Sequence, residues 1–213
     1  MTATGADPTV ARVVSVQRGL PRRVRDPLRD RMVRTGIWKD PVVGPVRVRA
    51  LGLEGDGVAD PRFHGGVDKA VYAFPFEHYG FFAEALGRGD LSPGSFGENL
   101  TTAGLLEGDL RIGDELLVGD VVLVVTQPRV PCYKLGLRLG EDAPGHFLRA
   151  GRPGFYLRVA AEGSLAAGDE VTHRRVAPPG APTVAAVYAR TVERALRRRP
   201  AAAADADGED DAT

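Results

Sequence analysis

The most reactive side chain in the sequence is the thiol of Cys132, the single cysteine among 213 residues. It lies in the segment Gln127–Leu135, QPRVPCYKL, close to Arg129 and Lys134. Pro131 is favoured at the first position of a helix, so the pattern predicts that Cys132 occupies the first helical turn. Free amides at that turn and nearby cations stabilise a thiolate, which is the form that attacks electrophiles or binds a metal. The alternative is an inert cysteine that packs as a small apolar side chain.

A lone cysteine also limits the kind of metal site that can form. It excludes an internal disulfide framework and a zinc site made of several cysteines. A metal bound by one protein thiolate would therefore belong to a cofactor that brings most of its own ligands.

A second candidate loop is the glycine-rich segment 52–71, GLEGDGVADPRFHGGVDKAV. Gly65 and Gly66 permit positive φ and a close approach of the backbone to a ligand. His64 and Lys69 add hydrogen-bond donors, so the loop suits an anionic group, although it lacks the spacing of a nucleotide-phosphate motif. The alternative is a purely structural turn in which His64 only holds the backbone.

The third candidate loop is Ser95–Thr102, SFGENLTT. The side-chain amide of Asn99 both donates and accepts hydrogen bonds, so it can hold the edge of a heterocycle, and Thr101 adds a hydroxyl. In the alternative interpretation these polar groups only satisfy a β-turn or a bulge.

The elements that position these loops are short, mostly alternating apolar and polar segments, which favour half-buried strands. We predict eight of them: Val10–Val16, Met32–Ile37, Val46–Leu51, Ala70–Phe74, Glu115–Val118, Val121–Thr126, Phe155–Ala160 and Glu170–Arg175. Their spacing predicts a closed or nearly closed sheet. Three short helices are predicted between strands, at Phe76–Leu86, Pro131–Leu139 and Ala143–Ala150.

These elements divide the chain into one main domain with appendages. We predict a barrel domain at 9–176, a Pro-rich linker at 177–182 and an amphipathic C-terminal helix at 183–199. Residues 1–8 and the acidic tail 200–213 are predicted to be disordered. Phe81 and Phe82 are predicted core residues, and an exposed pair there would indicate a homodimer face.

The composition excludes several classes of protein. The 28 basic and 28 acidic residues balance, so the whole molecule lacks the charge that nucleic acids or anionic membranes attract. The start of the chain resembles no secretion signal and no segment approaches about 18 apolar residues, so we expect a cytoplasmic protein. Residues 18–49 carry ten basic and three acidic side chains. This segment is either a solvated surface or the rim of an anion site.

Taken together, the three loops and the Ile112–Asp114 triplet resemble the MOSC domain family, named after the C-terminal domain of molybdenum cofactor sulfurases. Their order and spacing are similar to its stand-alone bacterial, YiiM-like branch, over residues 10–176. The resemblance implies a mainly β fold, an antiparallel β-barrel with a few peripheral α-helices. It also implies binding of the molybdenum cofactor.

The resemblance further implies roles for the candidate residues. Cys132 would be the molybdenum ligand and His64 a proton carrier. The cofactor would contact Gly65, Gly66, Lys69, Asn99, Thr101, Arg129 and Lys134. The activity implied is the reduction of N-hydroxylated compounds, such as hydroxylaminopurines and amidoximes, in a detoxification role. Electrons would come from a separate flavin or haem protein, and we expect no pyridoxal phosphate.

Two alternatives remain at this stage. One is a carrier that holds the cofactor, or sulfur as a Cys132 persulfide, without turnover. The other is a barrel that binds nucleic acid or a partner through residues 18–49, which the low aromatic content of 7% disfavours. The C-terminal helical region is shorter than is usual in this branch, which places partner choice and turnover in question.

Overall fold

The structure is a computed structural model that describes residues 10–197, apart from the side chains of residues 62 and 63. The strands of this range, β1–β13 in chain order, are Arg12–Arg18, Arg22–Asp26, Arg31–Thr35, Asp40–Pro41, Val46–Arg49, Gly52–Leu53, Val71–Pro75, Leu100–Ala103, Glu115–Val118, Val121–Pro128, Phe155–Ala161, Gly163–Leu165 and Val171–Arg174. Each predicted strand overlaps one of them, so the mainly β prediction is confirmed.

Eight strands form the main sheet, in the order β13-β9-β10-β11-β7-β8-β1-β4. All of its pairings are antiparallel except that of β7 with β8. This pair is parallel because the chain between the two strands crosses over through residues 76–99. The crossover returns Asn99 to β7, where its amide donates to the carbonyl of Tyr72.

Strands β1 and β13, the first and the last of the main sheet along the chain, lie close together but do not form a continuous ladder. The amide of Val171 donates to the carbonyl of Ala11, and the amide of Val13 donates to that of Asp169. One isolated bridge joins Arg12 to Glu170. The sheet therefore curls so that these two strands approach each other, but its strand order is open and the predicted closed barrel is not shown. Two small sheets complete the β-structure, the hairpin β2–β3 and the sheet β12-β5-β6.

The α-helices of the described range, α1–α5, are Pro61–His64, Tyr79–Ala85, Lys134–Leu139, Ala143–Ala150 and Val184–Arg197. Short 3-10 turns lie at Val67–Lys69 and Phe76–His78. The predicted helix at 76–86 is thus a 3-10 turn followed by α2. No helix among residues 10–197 is long and apolar enough to cross a membrane.

The C-terminal helix α5 packs against the rest of the fold. Val184 is fully buried, and the hydroxyl of Tyr188 donates to the carbonyl of Phe147 in α4. The predicted helix end at 198–199 and the predicted disordered segments 1–8 and 200–213 lie outside the described residues. The division into domain, linker and helix stays a prediction.

Two hydrophobic clusters form the core. An aliphatic cluster fills the curled sheet, with side chains such as Leu123 fully buried. An aromatic cluster lies between the sheet and α2–α4, where the rings of Phe74 and Phe96 stack with centroids 4.3 Å apart. Phe82 belongs to this cluster, whereas Phe81 is partly exposed and lies under the guanidinium of Arg152. The predicted core role therefore holds for one of the two phenylalanines.

Candidate functional site

A cavity of about 180 Å³, here called the inner cavity, opens where the three candidate loops meet. Six predicted site residues line it: His64, Lys69, Asn99, Arg129, Cys132 and Lys134. Gly65, Gly66 and Thr101 are not part of this lining. The structure thus brings most of the predicted residues together, while the role of each in binding stays a prediction.

The register of the main sheet explains why two of the loops converge. Pro128 ends β10 and pairs with Phe155 of β11, which pairs with Ala73 of β7, which in turn pairs with Leu100 of β8. One row across four strands therefore aligns the last residue of β10 with the first residue of β8, so residues 129 and 99 each lie one residue away from the same row. Sequence separation conceals this proximity, because strand pairing creates it.

Cys132 follows β10 by four residues, but it does not occupy the predicted position in a helix. Helix α3 begins at Lys134, so neither Pro131 nor Cys132 is helical, and the prediction of a cysteine within the first helical turn is wrong. Instead the Cys132 carbonyl accepts the amide of Leu135, in a turn that precedes the helix. The sulfur accepts the backbone amide of Lys134. The thiol therefore interacts with the start of the helix from outside, like a capping side chain.

The surroundings of Cys132 favour its ionised form. Burial by itself raises the pKa of the thiol, because a low-dielectric environment disfavours charge. The hydrogen bond from His64 and the positive charge of Arg129 outweigh burial, and the pKa falls to about 7. Cys132 is only partly buried. At neutral pH a substantial fraction of the side chain is thus a thiolate that a ligand in the cavity can reach.

His64 reaches the cysteine from the last position of α1, a four-residue helical turn that starts at Pro61. Gly65 and Gly66, which follow His64, allow the backbone conformation of this loop but do not line the inner cavity. A Cβ at Gly65 would lie 3.2 Å from the Cα of Pro61, and Gly66 has a φ of 93°, in the left-handed region. The predicted need for glycine in this loop is therefore conformational.

Arg129 is almost completely buried beneath the cysteine. Its Nη1 donates to the carbonyl of Phe96 and, over 3.3 Å, to the hydroxyl of Tyr72. Its guanidinium carbon lies 4.8 Å from the centroid of the Tyr72 ring. The aromatic cluster thus holds a fixed positive charge at the inner cavity, in an environment where charge interactions are strong.

Asn99 belongs to a polar network that sequence reasoning did not identify. Its Oδ1 accepts the amide of Tyr72 over 3.1 Å, and its Nδ2 donates to Asp56 over 2.8 Å. Asp56 also accepts two bonds from the buried Nζ of Lys39 and one from the amide of Gly19. Lys39 and Asp56 line the inner cavity. Both Oδ1 and Nδ2 of Asn99 are therefore hydrogen-bonded within the protein, and the bond from Nδ2 orients Asp56.

A weak signal for these residues was present in the sequence. Asp56 lies between two glycines in the second candidate loop, and Lys39 follows an apolar stretch. Pairing between the two could not be inferred, because 17 residues separate them. Burial lowers the pKa of Lys39, and the charge of Asp56 opposes this shift.

Thr101 lies in the neighbouring protein interior, where it is fully buried. Its hydroxyl donates to Glu98 over 3.0 Å and accepts the side-chain amide of Gln17 over 3.2 Å. Glu98 also accepts the amides of Gly94 and Phe96. This network holds the turn ahead of β8, which agrees with the structural alternative for this threonine.

A second cavity of about 420 Å³, here called the outer cavity, adjoins the inner cavity at Cys132. The two cavities share five residues: His64, Lys69, Cys132, Lys134 and Tyr156. The outer cavity also contacts Asp60, Gln127, Pro128, Val130 and Tyr133. Cys132 and His64 therefore line both cavities.

Charge is unevenly distributed over the inner cavity. Its lining contains four cationic side chains, Lys39, Lys69, Arg129 and Lys134, but one carboxylate, Asp56. The Asp56 carboxylate is paired with Lys39, so the lining as a whole carries an excess of positive charge close to Cys132. This arrangement suits an anionic ligand that also coordinates a thiolate.

Comparison with known proteins agrees with the fold. Residues 60–172 match the family model of the MOSC domain. Over 137 residues, 64% of this chain, the sequence is 44% identical to an uncharacterised protein, YflK, of Bacillus subtilis. It is 36% identical over 144 residues, 66% of this chain, to a protein named reductase from Gibberella moniliformis.

Solved structures extend the similarity. The crystal structure of YiiM from Geobacillus stearothermophilus superposes with a TM-score of 0.70 at 32% identity, covering 86% of this chain and 85% of that one. The sequence matches span 62% of the length of YflK and 26% of the Gibberella protein. Since the family model matches more than half of the sequence, this chain belongs to the MOSC domain family and is similar to YiiM-type proteins.

Proposed function

We propose that this protein is a molybdenum-cofactor-dependent reductase of N-hydroxylated compounds. The reaction takes R–NHOH, two electrons and two protons to R–NH₂ and water. The supporting observation is the Cys132 thiol, with a pKa of about 7, which lines two adjoining cavities that contain several cationic side chains. The similarity to a protein named reductase agrees with this class of activity.

The donor set of the inner cavity fits the cofactor that the family implies. Cys132 supplies a soft thiolate, the ligand type that suits a molybdenum centre carrying its other ligands with it. Arg129, Lys69 and Lys134 supply positive charge for its phosphate and dithiolene groups. When bound, the cofactor supplies two-electron redox chemistry beside the cysteine.

The chain's own residues have three tasks in this reaction. Arg129 is held rigidly by Phe96 and Tyr72, so it keeps the sulfur ionised without moving. His64 is hydrogen-bonded to the sulfur and lines both cavities, so it can carry a proton towards the leaving oxygen. Tyr156 also lines both cavities, and its ring, packed against Tyr72, bounds the space beside the sulfur.

Electrons must come from outside the chain in this proposal. We infer that a separate flavin or haem protein supplies them, since the reduction consumes two electrons that no side chain here provides. The substrate is a small organic molecule, which agrees with the cavity volumes.

The experiment that tests the proposal is metal and pterin analysis of the protein from molybdenum-replete cells. Wild type is expected to hold molybdenum and pterin, and to reduce benzamidoxime with a chemical electron donor. Cys132→Ala is expected to lose the metal, whereas Arg158→Met, an exposed change on β11, is expected to keep it. Wild-type protein with neither metal nor reductase activity would refute the proposal.

A second function is favoured by one observation, the access to Cys132 from the larger outer cavity. An accessible thiolate can carry sulfur as a persulfide and pass it on, without turnover of a substrate. Mass spectrometry would then find one added sulfur atom on Cys132, with no reduction of benzamidoxime. Reduction by molybdenum-loaded protein would decide against a carrier.

A further inference from the structure

The outer cavity contains a polar side chain that the proposed function leaves unused, Gln127. It is partly exposed, and within the described residues the structure shows no protein partner for its side-chain amide. The polar groups of the inner cavity differ, because Asn99, Asp56 and Arg129 are all bonded to protein atoms. An amide with free donor and acceptor groups beside a cysteine is available to a ligand.

An irregularity in β10 places Gln127 at the cavity. Along this strand, Leu123 and Val125 face the core and are at most 1% exposed, so regular alternation would turn residue 127 inwards as well. The pairing with β11 shifts between Val125 and Gln127, which marks a β-bulge. A bulge inserts an extra residue and redirects the side chains that follow. Gln127 thereby leaves the core side and reaches the outer cavity.

The bulge is held by a specific side chain. The hydroxyl of Thr126 contacts two backbone carbonyls, those of Asp68 at 2.6 Å and Tyr156 at 3.0 Å. Asp68 belongs to the 3-10 turn that follows the His64 loop. The position of Gln127 is therefore tied to the same loop that supplies His64.

Part of the outer cavity wall suits a flat apolar group. Tyr156 packs against Tyr72 with ring centroids 5.3 Å apart, and Tyr133 is covered on one side by the guanidinium of Arg29 at 4.3 Å. Val130 adds an apolar side chain at the rim, and the rest of the lining is polar or charged. Supported aromatic rings beside polar groups are typical of sites for planar organic ligands.

We propose that the outer cavity is the substrate compartment and that Gln127 recognises the substrate's amidine-type edge. This inference rests on the proposed function, and it names the residue that recognises the substrate. In hydroxylaminopurines the exocyclic N–H and the adjacent ring nitrogen form a donor and an acceptor on one planar edge. The amide of Gln127 can pair with both groups at once, accepting through its oxygen and donating through its nitrogen. A simple arylhydroxylamine lacks the nitrogen acceptor and forms only one of these bonds.

The test measures binding by titration calorimetry, without an electron donor, so that no ligand is reduced. The probes are 6-hydroxylaminopurine and phenylhydroxylamine. Gln127→Met keeps the length of the side chain and removes both polar groups. We expect it to weaken binding of the purine by about 10-fold, because a hydrogen-bonding site discriminates strongly against a missing partner. Binding of phenylhydroxylamine should change by less than about two-fold.

Arg158→Met is the matched control, because Arg158 is exposed on the neighbouring strand β11. It should leave both affinities unchanged, and both variants should unfold at the temperature of wild type. Equal loss of both probes in Gln127→Met, unchanged binding of the purine, or failure of wild type to bind it would each overturn the inference. In steady-state assays of the loaded enzyme, Gln127→Met should raise KM for the purine while kcat stays close to that of wild type.

Failure of this inference and failure of the proposed function give different results. If wild type holds no molybdenum but discriminates between the probes through Gln127, the reductase proposal fails and the recognition role stands. If wild type reduces both probes and Gln127→Met does so with unchanged KM, only the recognition role fails.

Discussion

The inner and outer cavities share Cys132 and His64, yet their walls contain polar side chains of two kinds. In the inner wall, Asp56, Asn99 and Arg129 are hydrogen-bonded to other protein groups. In the outer wall, the side-chain amide of Gln127 has no hydrogen-bond partner among the described residues. Side chains of the first kind stabilise the fold, whereas the amide of Gln127 is available to a ligand. Substitutions should therefore separate into those that cost stability and those that change binding.

The largest expected effect is on the inner wall. Asp56→Ala removes the partner of Lys39, a lysine with a side chain only 8% exposed. It should lower the free energy of unfolding by about 3–5 kcal/mol, because a buried charge is left unpaired. Urea denaturation measures the change. Asp90→Ala, which breaks an exposed ion pair with Arg88, is the control and should leave the midpoint unchanged. A loss for Asp56→Ala as small as that of the control would show that the inner network is not structural.

The next largest effect is expected on the pH dependence of Cys132 reactivity. An ordinary exposed cysteine would not show the lowered pKa of this thiol. Because the pKa of the thiol is lowered to about 7, the thiolate forms as pH rises through that value and is lost as pH falls below it. Alkylation of the cofactor-free protein by iodoacetamide should level off above about pH 8 and fall about ten-fold per unit below about pH 6. A midpoint near that of free cysteine, about 8.5, would contradict the assigned environment.

Substitution of the buried arginine tests how the inner wall acts on the shared cysteine. Arg129→Met removes a positive charge close to the sulfur, so the pKa of Cys132 should rise. Alkylation at pH 7 should slow by about five-fold, the change expected from a rise of about one unit. Arg129→Lys keeps the charge and should retain most of the wild-type rate. Equal rates for all three proteins would remove Arg129 from the electrostatics of the site.

The smallest effect is expected at the rim of the outer wall. Val130 is 48% exposed and contacts the outer cavity, so Val130→Ala should change the free energy of unfolding by less than about 0.5 kcal/mol. Thermal unfolding measures this change. A destabilisation close to that of Asp56→Ala would mean that the outer wall is as firmly built into the fold as the inner one.

Much of the fold could be predicted because short apolar, β-favouring segments bounded by turn residues are a local signal. Glu115–Val118 and Val121–Pro128 are such segments, and their side chains alternate in burial along most of each strand. Strand β2, RRVRD, escaped prediction because four of its five residues are charged, and only pairing with β3 identifies it. The start of α3 was misplaced because Pro131 also fits an extended segment ahead of a helix.

The candidate site could be predicted in part for a similar reason. Cys132, His64 and Asn99 belong to distinctive local segments, whereas the pairing of Lys39 with Asp56 depends on contacts between segments that no local pattern records. Thr101 is the opposite case. Its local motif predicted a site residue, but its hydroxyl donates to Glu98 in the protein interior. The β-bulge at Gln127 was also invisible, since a bulge is defined only by the partner strand.

The sequence by itself determined that this chain forms mostly short strands and that one cysteine, one histidine and one asparagine lie in loops suited to a ligand. These properties depend on residue type and spacing over a few residues, which local sterics and polarity control. Only the tertiary structure decided that residues of the three loops meet around one cavity and that Cys132 also lines a second one. Strand register and burial make that decision, because they join residues far apart in the chain and set the charge around the thiol.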